Sequence, residues 1–134
     1  MRRLALLALV VPLLAACASG PTAQETLASE ISQQVPTWIS AEHLPPAAQP
    51  GAHLFAVAGC TACHNYNGVG GGGLLGAPDL TAEGSRNSSI AFQIRHLECP
   101  SCVHPGSPMP PFRSLGAKRL HELAVFLADS KGAG

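Results

Sequence analysis

The chain has 134 residues, and its eight basic and eight acidic side chains cancel to a formal net charge of zero. A length of this order fits one small domain, and a chain without a basic surplus is a poor candidate for nucleic-acid binding. Aromatic residues make up only 4% of the sequence, so a core built from protein side chains alone would be light. The composition therefore predicts a prosthetic group or another covalent constraint within the fold.

Residues 1–16 have the pattern of a bacterial export signal, because two arginines precede an apolar run that is too short to span a bilayer. The tetrad Leu14-Ala15-Ala16-Cys17 resembles a lipobox. We therefore expect cleavage before Cys17 and lipidation of that cysteine, with an ordinary signal peptide cleaved nearby as the alternative. Cleavage would leave six basic and eight acidic residues, a net charge of −2. The prediction is a lipoprotein of the cell envelope, bound to the bilayer through Cys17 and facing the periplasm or the outer side of the cytoplasmic membrane.

Residues 17–49 are rich in Pro, Ala, Ser and Gln and contain only a short helical pattern at Leu27, Ile31 and Val35. This composition predicts a flexible tether with a mean reach of about 30 Å. Trp38 is the one large aromatic residue of the segment, and it could pack locally, on the domain or on a partner. We place the domain boundary at residue 50.

Three segments beyond that boundary have helical periodicity, at residues 51–58, 88–97 and 117–129. Asn87 or Ser88 could cap the second of them. No segment alternates apolar and polar residues as a strand would. The predicted fold class is all-α, with residues 50–134 forming a small domain of three or more short helices around a ligand.

The sequence Cys60-Thr61-Ala62-Cys63-His64 directly follows the first predicted helix. In a C-x-x-C-H motif the two sulfurs can add to the vinyl groups of a haem, and the histidine can then bind the iron. The motif predicts one covalently attached haem c. A zinc site formed by Cys60, Cys63, Cys99 and Cys102 is an alternative with plausible tetrahedral chemistry, but it leaves His64 unexplained and requires reduced thiols outside the cytoplasm.

The remaining cysteines form the sequence Cys99-Pro100-Ser101-Cys102. An exported compartment is oxidising, so we expect a disulfide between Cys99 and Cys102. A second haem is disfavoured because Val103, and not a histidine, follows Cys102. A structural staple and a labile regulatory or catalytic disulfide are both open at this point.

Residues 68–73 formally satisfy the dinucleotide-binding pattern G-x-G-x-x-G. That interpretation needs a strand before the glycines and a helix after them. The haem-attachment motif precedes this run, and Leu74-Leu75-Gly76-Ala77-Pro78 follows it. We therefore interpret the run as a flexible loop near the haem edge.

Residues 50–131 resemble the class I mono-haem cytochromes c. The resemblance rests on the opening Gly51, Phe55 and Gly59 before the C-x-x-C-H motif, on the segment 76–80 and on the Pro-rich segment 105–112. It implies that His64 is the proximal ligand, that Met109 is the distal ligand and that the carbonyl of Pro78 accepts the His64 Nδ1 proton. It also implies that Arg86 approaches the haem propionates, and that the first and last helices cross.

Met109 is the only methionine apart from Met1, and it lies between prolines 45 residues after His64. A methionine more often fills a gap in a core, but this position favours ligation. His96 and His104 are the competing candidates for the distal position. His43, His53 and His121 are expected to face solvent.

A haem iron with His and Met ligands has no open position for a substrate, and such ligation raises the reduction potential. The expected function is one-electron transfer between membrane redox complexes, such as a quinol-oxidising complex or a terminal oxidase, and not enzymatic catalysis. The segment Arg95-His96-Leu97 with the following Pro-rich run is similar to haem subunits of respiratory oxidases and of alternative quinol-oxidising complexes. A haem sensor or peroxidase-like enzyme with a displaceable Met109 is the alternative.

Overall fold

Helices dominate residues 20–132, which are the residues that this computed structural model describes. The predicted export signal and Cys17 lie outside the described residues. The α-helices in chain order are α1 (Ala23–Ser32), α2 (Val35–Ala41), α3 (Gln49–Val57), α4 (Glu83–Arg86), α5 (Ile90–Glu98), α6 (Pro100–Val103) and α7 (Gly116–Asp129). None of the helices in this part of the chain is long and apolar enough to cross a membrane.

The predicted all-α class is confirmed, and the strand content of the described residues is a single small hairpin. Its strands are β1 (Asn65–Tyr66) and β2 (Val69–Gly70), which pair antiparallel. Short 3₁₀ turns occur at Cys60–Ala62, Leu74–Gly76 and Arg113–Leu115. The three helices predicted from periodicity correspond to α3, α5 and α7, each within two residues of its expected ends. The cap of α5 is Ser89, whose hydroxyl accepts from the Phe92 N–H at 3.2 Å, and not Asn87 or Ser88.

The prediction of a flexible tether over residues 17–49 is wrong for residues 20–49. This stretch contains α1 and α2, and its apolar residues Ile31, Val35, Trp38 and Leu44 are all buried in the same core as α3 and α7. Of the short helical pattern seen in the sequence, Ile31 and Val35 are buried, whereas Leu27 is 53% exposed. Composition misled here, because frequent Pro and Ala residues are compatible with short packed helices as well as with a linker.

A local signal for the start of α1 was present in the sequence. Thr22 and Glu25 form a capping box, in which the Thr22 hydroxyl accepts from the Glu25 N–H at 3.2 Å and the Glu25 carboxylate accepts from the Thr22 N–H at 2.7 Å. The pattern T-x-x-E before an apolar stripe is a known helix-start signature. It satisfies backbone donors that the first turn of a helix otherwise leaves unpaired.

An aromatic cluster joins the N-terminal helices to the rest of the domain. It consists of Trp38, Phe55, Tyr66 and Phe126, each at most 1% exposed, with ring centroids 4.9 to 6.1 Å apart. These rings come from α2, α3, β1 and α7. The Tyr66 hydroxyl is also satisfied, by the Ser130 hydroxyl at 2.8 Å. Four of the six aromatic residues of the chain therefore lie in one contact cluster.

Helices α3 and α7 cross at close range, as the resemblance implied. A Cβ atom at Gly51 would collide with the Glu122 carbonyl oxygen and the Phe126 Cβ, so only glycine allows the two backbones to approach. Phe55 lies one turn further along α3 with its ring 5.4 Å from that of Phe126. The crossing fixes the end of α3, from which the C-x-x-C-H motif begins.

Replacing Trp38 by alanine tests whether α2 belongs to the core. The side chain is 1% exposed and contacts the Phe55 and Tyr66 rings, so its truncation should lower the free energy of unfolding by about 3–5 kcal/mol. Denaturant unfolding of the haem-loaded protein measures this change. Thr37→Ala, at an exposed neighbouring position, should change the stability by less than about 0.5 kcal/mol. Equal stability of the two variants would show that α2 is not part of the core.

Candidate functional site

A cavity of about 700 Å³ occupies one side of the domain. Its volume lies in the range of cofactor and ligand pockets. Three irregular segments surround it: the end of the C-x-x-C-H motif, the segment 74–80 and the loop 104–112. Helices α5 and α7 close the cavity with Leu97, Leu123 and Leu127. The lining is predominantly apolar, as a large planar macrocycle requires.

The three reactive residues of the motif line this cavity together. Cys60 and Cys63 carry free thiols in the structure, and burial raises the pKa of the Cys60 thiol to about 12. His64 follows directly, and its Nδ1 lies 2.8 Å from the carbonyl oxygen of Pro78. Nδ1 therefore donates to that carbonyl, and Nε2 keeps its lone pair free for a metal. The predicted contact between His64 and Pro78 is present.

The glycine run lies against the backbone of the motif. The Gly71 N–H donates to the Thr61 carbonyl at 2.7 Å, and a Cβ atom at Gly70 or Gly71 would collide with the carbonyl oxygen of His64 or Ala62. These glycines therefore permit a close backbone approach that supports the motif from outside. No dinucleotide-binding arrangement is formed, because β2 lies within the glycine run and pairs with β1 in an antiparallel hairpin, and a 3₁₀ turn, not an α-helix, follows the run.

Met109 reaches the cavity from a loop whose ends are tied together. The Phe112 N–H donates to the Leu97 carbonyl at 2.8 Å, which closes the excursion of the chain between these two residues. The Met109 N–H donates to the Ser107 hydroxyl at 3.3 Å. The Met109 side chain is half-buried, packs against the core and lines the cavity. It is placed to offer a thioether sulfur to the same space as His64.

His96 and His104 also line the cavity, with ring centroids 5.0 Å apart. Burial lowers the pKa of His96 below its usual value, and the neighbouring His104 lowers it further. His104 is exposed, whereas Met109 is half-buried against the core. His43, His53 and His121 are exposed, as expected.

A buried carboxylate that the sequence did not single out organises the cavity wall. Glu83 is 7% exposed and accepts from Arg86 Nη2 at 2.9 Å, from Asn87 Nδ2 at 2.9 Å and from Gln93 Nε2 at 3.0 Å. The i+3 and i+4 spacing of two of these partners is the signal that could have identified it. Gln93, on α5, was not recognisable from periodicity because its buried amide is satisfied only by tertiary contacts.

Arg86 links the Glu83 carboxylate to the segment that contains Pro78. Its guanidinium donates to the Asp79 carbonyl at 2.6 Å as well as to Glu83. Because Asp79 directly follows Pro78, this contact holds the carbonyl that orients His64. The side chain is 48% exposed and lines the cavity, so it remains available to an anionic group there.

Cys99 and Cys102 are bonded to each other, with their Cα atoms 5.2 Å apart. They therefore do not form a four-thiolate site with Cys60 and Cys63. Within residues 20–132 no group of three or more His, Cys, Asp and Glu side chains is arranged to hold a metal ion. The zinc alternative finds no support in this arrangement.

The cavity fits a covalent haem. Two free thiols, an imidazole with its Nδ1 engaged and a thioether share one apolar space, and this donor set suits haem attachment and iron ligation. An all-α domain built around such a site defines a cytochrome c. The family described as "Cytochrome C oxidase, cbb3-type, subunit III" matches residues 46–127, and the chain belongs to this family. No curated protein and no solved structure matches the chain significantly.

Family membership settles the general class of activity. The protein carries haem c as a covalent cofactor, and its function is haem-based electron transfer as an electron carrier or an oxidase subunit. The matched residues begin before α3 and end in α7, so they include the whole cavity described above.

Replacing Glu83 by alanine tests the role of the buried carboxylate. The change leaves the Gln93 amide with one fewer acceptor and Arg86 without its carboxylate partner. We expect a loss of about 1–3 kcal/mol in the free energy of unfolding, measured by denaturant unfolding of the haem-loaded protein. Glu30→Ala, which removes an exposed carboxylate, should stay within about 0.5 kcal/mol of the wild type. A similar result for both variants would contradict the assigned role.

Proposed function

We propose that the protein is a membrane-tethered electron carrier with one haem attached through Cys60 and Cys63 and with His64 and Met109 as iron ligands. The observation that carries this proposal is the presence of all four side chains in the lining of one cavity. Haem c, when bound, supplies a one-electron couple between ferric and ferrous iron. The remaining chemistry belongs to the side chains that hold and orient it.

His64 and Met109 have different tasks in this proposal. The Pro78 carbonyl fixes the tautomer and the ring orientation of His64 through the 2.8 Å contact with Nδ1. The Met109 thioether is a soft, neutral ligand that favours the reduced iron and thereby raises the potential. While Met109 is bound, both positions are filled and no site is open to a substrate. The sensor or peroxidase-like alternative requires Met109 to leave the iron.

The rim of the cavity offers an apolar surface to a redox partner. Leu74 and Leu75 line the cavity and are 53% and 72% exposed. Leu75 has a φ of 55°, a left-handed conformation that is unfavourable for leucine and is often held at functional sites. A partner that covers these side chains would approach the haem pocket at short range.

The family description names a subunit of a cytochrome c oxidase. We infer that this protein passes electrons to or within a membrane oxidase, or accepts them from a quinol-oxidising complex. It would work either as a fixed subunit or as a tethered shuttle. Co-purification from native membranes distinguishes these two, because a fixed subunit stays with the oxidase after detergent extraction and a shuttle is lost.

The proposed anchor at Cys17 would hold the domain close to the bilayer. Helix α1 starts at Ala23 and is packed on the core through Ile31. Only the four residues between Cys17 and Thr22 can therefore act as a spacer, and the five residue-to-residue steps from Cys17 to Thr22 span at most about 18 Å. Lipidation would confine the domain to a thin layer at the membrane surface, where the effective concentration of a membrane-bound partner is high.

Met109→Ala tests the proposed distal ligand. The variant should lose the far-red charge-transfer band of Met-ligated ferric haem, and its midpoint potential should fall because the thioether no longer stabilises the ferrous state. Visible spectroscopy and a redox titration measure the two effects. Pro111→Ala, at an exposed position in the same loop, should retain the band. A band that persists in Met109→Ala would exclude this residue as the ligand.

Cys17→Ser tests the proposed anchor. A serine cannot accept the thioether-linked lipid, so the protein should move from the membrane fraction to the soluble fraction. Cell fractionation with detection of covalent haem measures the distribution, and Ala18→Ser serves as the matched control. Retention of Cys17→Ser in washed membranes would mean that something other than this lipid holds the protein.

A further inference from the structure

Haem-based electron transfer leaves the Cys99–Cys102 disulfide without a role. The bridge joins the residue after α5 to a residue of α6, with two residues between the cysteines. Cys102 is exposed, Cys99 is half-buried and Pro100 between them is buried. One sulfur-bearing residue of the pair is therefore accessible from solvent, and a C-x-x-C spacing is the one used by thiol–disulfide oxidoreductases.

The disulfide and Met109 lie in the same closed loop. The Leu97 carbonyl accepts from the Phe112 N–H at 2.8 Å. This hydrogen bond joins the two ends of the loop formed by residues 98–111. This loop begins with the disulfide and ends with the proposed distal ligand. Its residues from His104 to Met109 line the cavity.

A continuous series of hydrogen bonds leads from the bridged turn to Met109. The His104 N–H donates to the Pro100 carbonyl at 2.8 Å, and the Ser107 N–H donates to the His104 carbonyl at 3.0 Å. The Met109 N–H then donates to the Ser107 hydroxyl at 3.3 Å. Each of these hydrogen bonds positions the residue that takes part in the next hydrogen bond. The position of Met109 therefore depends on the turn at Pro100.

The turn at Pro100 is too short to be stable by itself. Helix α6 has four residues, and a helix of one turn has too few internal hydrogen bonds to offset the entropy of its formation. The covalent bridge, together with the Cys102 N–H bond to the Cys99 carbonyl at 3.0 Å, closes this turn. Opening the bridge would remove the constraint at the start of the series that ends at Met109.

We propose that Cys99 and Cys102 form a thiol–disulfide exchange site for a dithiol protein, and that reduction of this site releases Met109 from the distal position. The inference rests on the proposed function, because it requires Met109 to be the distal ligand. It adds a second redox centre, of two electrons, that controls the one-electron centre. The reduced protein has a lower haem potential and an open coordination position.

The thiol–disulfide exchange needs no co-reactant other than the donor dithiol. A thiolate of the donor attacks the Cys102 sulfur, the bond to Cys99 breaks, and Cys99 leaves as a thiolate that takes a proton. The second donor thiol then attacks its partner sulfur in the mixed disulfide and releases Cys102. The donor dithiol is oxidised to a disulfide, and Cys99 and Cys102 are reduced by the same two electrons and two protons.

The first experiment uses the mature, haem-loaded wild-type protein with dithiothreitol as the probe. After reduction, thiols are blocked with iodoacetamide, the reagents are removed and the iron is reoxidised with ferricyanide. We expect two added alkyl groups by mass, loss of the far-red band, a lowered midpoint potential and binding of carbon monoxide to the ferrous form. A sample treated with iodoacetamide alone should gain no alkyl group and keep its band.

A second experiment removes the sulfurs by mutation. The double variant Cys99→Ser, Cys102→Ser should show the same loss of the band, whereas Ser101→Ala keeps the bridge and should behave as the wild type. If the double variant does not mature, the alkylated wild-type protein decides the question, since it was folded and loaded before the bridge was opened.

Two results would overturn the inference. A bridge that dithiothreitol opens only after denaturation excludes an exchange site, and a retained far-red band after alkylation excludes control of Met109. Absence of the band from the untreated wild-type protein is a different failure. It would show that Met109 is not an iron ligand, and would thereby contradict both the proposed ligand set and the proposed control of Met109 by the disulfide.

Discussion

The contact of four aromatic rings holds together the elements from which the haem-attachment motif extends. Trp38, Phe55, Tyr66 and Phe126 bring α2, α3, β1 and α7 together, and each such pair adds about 0.5–1.5 kcal/mol beyond the burial of its surface. The haem-attachment motif begins five residues after Phe55 and ends two residues before Tyr66. Both ends of the motif are therefore held by the core, and Cys60 and Cys63 line the adjoining cavity.

The cavity itself is assembled from segments that have little regular structure. His64 is oriented by the Pro78 carbonyl, the segment of Pro78 is held by Arg86, and Arg86 is held by the buried carboxylate of Glu83. A hydrogen-bonded network around a buried carboxylate is costly to disturb, because each group that loses its partner stays buried. This arrangement explains how irregular loops form a defined site, and the haem of this family completes a core that has few large side chains.

The N-terminal helices change how the protein can meet its partners. A flexible segment of some thirty residues would let the domain move to a mean distance of about 30 Å from its anchor. If Cys17 carries the proposed lipid, the packed helices α1 and α2 leave a much shorter spacer between the lipid and the domain. Transfer between membrane complexes benefits from such restriction when the partner is also fixed in the bilayer, because fewer orientations must be searched.

Much of the site was predictable from the sequence, and the reason is chemical. Covalent attachment needs two thiols and a histidine at fixed spacing, so Cys60, Cys63 and His64 identify the cofactor without any knowledge of the fold, and the periods of α3, α5 and α7 indicate an all-α domain. Gln93 and Trp38 carry no such local signal, because their partners come from other elements, and Glu83 has only the i+3 and i+4 spacing of Arg86 and Asn87. The sequence by itself determined which cofactor is bound. Only the tertiary structure decided that α1 and α2 belong to the core, because burial of their apolar faces depends on surfaces that α3 and α7 supply.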